Sequence, residues 1–61
     1  MNRADQKQAE IIRLHHKAGN QHAVAAGLSA LIRAAMSNKT RKEWLALAQE
    51  LGVTNHPEFI V

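Results

Sequence analysis

The 61-residue sequence has no cysteine and no tyrosine, one proline, three glycines and only two aromatic side chains, Trp44 and Phe59. Without cysteine there are neither disulfides nor thiolate metal sites, a composition that fits a reducing compartment. No apolar run approaches the roughly 20 residues that span a bilayer as a helix. Met1-Asn2 opens directly into polar, mixed-charge sequence, without the basic segment and apolar stretch of a secretory leader. These absences predict an intact soluble protein of the cytoplasm with no membrane partner. Charge of one sign never accumulates either: eight basic and five acidic residues are interspersed, for a net charge of +3. That balance permits a polyanionic partner without requiring one. The catalytic inventory is equally thin, with two serines, one aspartate and no glycine-rich phosphate loop. No nucleophile can be matched with a base and an orienting third group, so the chain is expected to be no enzyme and to hold no cofactor.

What is present is apolar and helical. Hydrophobic residues make up 46% of the chain, but eleven of them are alanines, which favour helix and close packing more than they add buried area. A single domain of this length buries only about three fifths of the surface its unfolded chain exposes. With disulfides and thiolate metal sites excluded, association is the remaining way to complete its core.

The pattern predicts three helices, at about 3–17, 21–36 and 41–51, and a C-terminal tail over 53–61. Asn2 is placed to cap the first helix and Gly19-Asn20 to end it. Its apolar line is Ala4, Ile11, Leu14 and Ala18, with Ile12 beside it. Asn20 then caps the second helix. Here Val24, Leu28, Leu31 and Ala35 form one stripe, and Leu28, Ile32 and Met36 the next. Alanines fill most of the remainder, and only the line His22, Ser29, Arg33 is polar. A helix apolar nearly all round needs cover on several sides, more than two short neighbours are expected to supply. The third helix is predicted to open with Thr40-Arg41-Lys42-Glu43 as a capping box and to stop at Gly52, where a left-handed residue lets Val53 fold back. Pro57 prevents any continuation, and Phe59-Ile60-Val61 are apolar enough to dock on the bundle or on a partner chain. The expected architecture is therefore all-α: a short helical hairpin or three-helix chain forming a homodimeric helical bundle. Its central second helix supplies the dimer interface through Val24, Leu28, Leu31, Ile32, Ala35 and Met36.

Three further signals compete with plainer readings. Ala26-Gly27-Leu28-Ser29, with Ala23 ahead of it, has the spacing of a helix-turn-helix and would send Ser29 to Arg33 into a major groove. Ala30, Leu31 and Ile32 cannot read base edges by hydrogen bonding, however. A continuous helix in which Gly27 admits a close neighbour is the preferred reading. Arg33, Lys39, Arg41 and Lys42 cluster around the second turn and are the candidate nucleic-acid contacts, against the alternative of a solvated face beside a helix cap. His15, His16 and His22 invite a metal, but adjacent histidines point apart and no carboxylate or thiolate completes the set, so no metal is expected.

The opening Asn2-Arg3-Ala4-Asp5-Gln6-Lys7 and the block Ala25 to Arg33, together with the closing Glu50-Leu51-Gly52-Val53 and His56-Pro57-Glu58-Phe59, give the whole chain a likeness. It resembles the small early proteins of lambda-like temperate phages, those encoded between the recombination and excision genes. The resemblance implies an accessory regulator in the cytoplasm of an infected bacterium, binding host or phage proteins and biasing lysis against lysogeny. It carries over no functional residue. The functional expectation is thus a regulatory protein-interaction module that binds itself and a host or phage protein, with a small helix-turn-helix-like DNA-binding regulator as the alternative.

Overall fold

A computed structural model describes residues 1–61 as three α-helices with no strand: α1 (Arg3–Lys17), α2 (Gln21–Ala34) and α3 (Asn38–Glu50). The first helix begins and ends, and the second begins, as local chemistry predicts. Asn2 and Asn20 each accept a hydrogen bond from the backbone N–H three residues on, Asp5 at 2.8 Å and Ala23 at 3.1 Å. Gly19 adopts φ +81°, and the amide of Asn20 donates back to the His15 carbonyl at 2.8 Å. Gly52, at φ +73°, does the same for α3, with Val53 donating to Ala48 at 3.1 Å. Both are left-handed closures in which a glycine relieves the orphaned carbonyls of the last turn.

The third helix starts earlier than its predicted capping box. Ser37 is the N-cap: its hydroxyl accepts from the Thr40 amide and donates to Thr40 Oγ1, each at 3.1 Å. Thr40 lies inside the helix, and Glu43 turns instead to the N-terminal ammonium at 3.0 Å. Two local caps were available, and the one that adds a further turn of backbone hydrogen bonds is used. Ala35 and Ser37 both have extended backbone, and α2 ends at Ala34 rather than at Met36.

The core is built around α2, which packs against α1 on one side and α3 on the other. Val24, Ala25, Leu28 and Ile32 from α2 meet Ile12 from α1 and Trp44, Leu47, Ala48 and Leu51 from the α3 region, closed off by Val53. From α1 only Ile12 is fully buried; it is 4% exposed, whereas its neighbour Ile11 is 46% and Leu14 65% exposed. The apolar line Ala4, Ile11, Leu14, Ala18 therefore faces outward, a correction with a local cause. Gly27 has no side chain, and the Ile12 Cδ1 lies 2.8 Å from where a Cβ would stand. The close approach predicted for Gly27 is real, and it selects Ile12 as the residue that enters.

The tail packs along the Ser29 side of α2. Ser29 is buried, and its hydroxyl accepts from the Ile60 amide at 2.9 Å. The single hydroxyl proton is directed at the carbonyls of Ala25, at 2.7 Å, and Glu58, at 3.1 Å. Arg33 donates to the Ile60 carbonyl at 3.2 Å, and Phe59 packs half-buried against the core. Ser29 and Arg33, two of the three residues on the polar line of α2, thus bind the backbone of the tail. The radius of gyration is 10.4 Å, against about 10.5 Å expected for a closed domain of this length. One chain therefore buries Val24, Leu28 and Ile32 by itself and leaves Leu31 and Ala35 half-buried.

Candidate functional site

The corner where α2 turns into α3 sits beside the start of α1, and a groove of about 250 Å³ opens there. Leu31, Ala34 and Ala35 form its α2 side, Thr40 and Trp44 its α3 side, and Asn2 and Asp5 its α1 edge, with Met36 at the rim. The polar groups around it are mostly occupied. The Asn2 side chain caps α1 and the Thr40 hydroxyl receives Ser37, whereas the half-buried Asp5 carboxylate forms no ion pair. Met36 is 98% exposed, because Ala35 and Ser37 are extended and carry it away from the helix.

Of the six residues expected at an interface between copies, Val24, Leu28 and Ile32 are buried inside the subunit. They are core residues and present no surface, because α1, α3 and the tail already enclose them. Leu31 and Ala35 are half-buried in the groove, and Met36 stands beside it. Only this second group remains available to a partner.

The four candidate nucleic-acid contacts divide as well. Arg33 is held by the tail carbonyl of Ile60. Arg41 folds back on its own turn, donating to Asn38 Oδ1 at 2.6 Å and to the Ala35 carbonyl at 3.4 Å. Lys39 and Lys42 are exposed and form no ion pair. α2 runs unbroken through Gly27, as the preferred reading of that segment has it, so no helix-turn-helix forms there. The actual turn is Ala35-Met36-Ser37.

Both carboxylates on α3 are engaged toward α1. Glu50 takes two hydrogen bonds from the Arg13 guanidinium, at 2.6 and 3.3 Å. Those bonds, and then the guanidinium charge, hold the Glu50 carboxyl below its ordinary range and raise Arg13 in turn. Glu43 binds the terminal ammonium. The histidines lie apart: His16 Nδ1 meets Gln21 Oε1 at 2.8 Å, while the His22 ring lies 6.3 Å from that of His56 and 4.0 Å from the Glu58 carboxylate. No three His, Asp or Glu side chains converge closely enough to hold a metal ion. The serines have structural work, Ser29 on the tail and Ser37 at the cap.

Sequence reading missed Asp5 and Trp44 as groove residues and Ser29 as the anchor of the tail. Ser29 did leave a signal, as the one small hydroxyl in an otherwise apolar stretch of helix. No helix is long and apolar enough to cross a membrane. Compared with known protein families, with curated proteins and with solved structures, the chain matches none.

Proposed function

We propose that this chain is a small regulatory protein that acts by binding, and that its first partner is a second copy of itself. The observation that carries the reading is the pairing of a knob with a hole: Met36, almost wholly exposed, stands at the rim of a groove whose floor includes Leu31, Ala35 and Trp44. In a two-fold dimer the same patch serves both subunits, so Met36 of one chain enters the groove of the other over Leu31 and Ala35. Leu31, Ala35 and Met36 are the part of the expected interface that this arrangement keeps.

A host or phage protein would then meet the apolar residues left outside, Ile11 and Leu14 on α1 and Ile60 and Val61 in the tail, all of them exposed. The likeness to early proteins of lambda-like phages supports a regulatory setting in the bacterial cytoplasm. With both serines engaged by backbone, the residues also favour binding over catalysis. Sedimentation velocity at micromolar concentration tests the reading. A dimer that Met36→Lys converts to a folded monomer is the expected result, and a well-folded monomer from the unaltered chain would sink it.

A further inference from the structure

We infer that the outward face of α3 is a reading head for duplex DNA, entering the major groove with Lys39, Lys42, Ala46 and Gln49 toward the bases and phosphates. This goes beyond self-association and uses the opposite flank of α3 from the groove. At 100° per residue, Asn38, Lys39, Lys42, Ala46 and Gln49 fall within a sector of about 100°. All five are exposed, while Trp44, Leu47 and Ala48 take the opposite, buried side. The sector contains no carboxylate. The two that α3 does carry, Glu43 and Glu50, lie at its edge and are each neutralised by a cation from the α1 side.

The side-chain types match the code presented in the major groove. Lysine donates to guanine O6 and N7, glutamine bonds adenine in bidentate fashion, and alanine packs on a thymine methyl. The setting matches too. Two helices joined by a three-residue turn, the second projecting a polar face, are the parts of a helix-turn-helix, and here they are α2, Ala35-Met36-Ser37 and α3. Arg41, bonded to Asn38 and to the Ala35 carbonyl, stiffens the turn that sets the angle of the reading helix.

Duplex DNA is the polyanion this face fits best. Single strands are gripped by stacking on exposed aromatic rings, and Trp44 is buried while Phe59 packs on the core. The major groove of duplex RNA is too deep and narrow for side chains to read. An acidic protein surface would want a central apolar or aromatic anchor, which this sector lacks.

The test is fluorescence anisotropy of the full chain with a labelled DNA duplex of mixed sequence, the matching single strand and an RNA duplex, over a salt series. The DNA duplex should bind tightest, with a dissociation constant of about 10⁻⁴ to 10⁻⁶ M at physiological salt. Lys39→Ala and Lys42→Ala, both at exposed positions and expected to melt like the parent, should each make the log–log salt slope shallower by about 1. Lys17→Ala, on α1, should leave the slope unchanged. Absence of duplex binding, preference for the single strand or for RNA, or an equal loss from Lys17→Ala would each overturn the inference. Selection from a random duplex pool then isolates base reading: Gln49→Ala should relax the preference at one position without altering the slope. An unchanged preferred sequence would remove Gln49 from the reading face.

Discussion

α1 and α2 both carry isoleucine and leucine, yet the protein treats those residues differently. α2 buries Val24, Leu28 and Ile32, with Leu28 at 0% exposure, whereas α1 buries Ile12 and leaves Ile11 and Leu14 largely in water. The difference lies in what surrounds each helix. α2 has α1, α3 and the tail around it, while α1 has α2 as its one packed neighbour. Hydrophobicity therefore states how much surface a helix would gain by hiding, and the number of neighbours decides how much it does hide.

Removing the same side chain from each helix is the strongest way to break that comparison. Leu28→Ala should cost about 2–5 kcal/mol, a large part of the roughly 3–9 kcal/mol available to a domain of this size. Leu14→Ala should stay within about 0.5 kcal/mol, as surface substitutions do. Urea unfolding followed by circular dichroism measures both, and comparable losses would show that α1 is covered on its outer side.

A smaller effect tests where the two helices touch. Gly27→Ala improves helix propensity, but the new methyl meets Ile12 Cδ1 at 2.8 Å. In an Ile12→Val background that atom is gone, so the same substitution should be more favourable there by about 0.5–1 kcal/mol. Strict additivity in the four-member cycle would place the contact elsewhere.

The smallest expected effect concerns the tie between α1 and α3. Glu50 is depressed by Arg13, so the pair stabilises the folded chain fully above the ordinary carboxylate range. That contribution fades as pH falls through the lowered value of Glu50 in the folded state. Both side chains are more than half exposed, so solvent and salt screen the pair and its contribution is slight. Glu50→Gln should lower the melting temperature a little at neutral pH and low salt, and the gap from the parent should close in acid or in added salt. A gap that widened in acid would contradict the assignment.

The candidate interaction surfaces were only partly legible in the sequence. Lys39 and Lys42 stand out by charge, and both are exposed. Met36 continues an apolar stripe in the sequence, but its exposure comes from the chain leaving the helix at Ala35. Arg33 looks the same in sequence as Lys42, yet the tail holds it, and nothing near residue 33 announces that Ile60 will arrive there.

Helix ends and stops depend on groups within a few residues of one another, and the sequence alone settled most of them. Asn2 and Asn20 cap, Gly19 and Gly52 close, and α2 is central because it holds the most aliphatic residues. Tertiary structure alone decided which side of each helix faces inward, because adjacent positions differ by about 100° and only a neighbour's shape chooses between them. Ile12 enters and Ile11 does not because Gly27 opens the space. The tail lies on Ser29 because a chain folded back to that point offers carbonyls and an amide at the distance its hydroxyl requires.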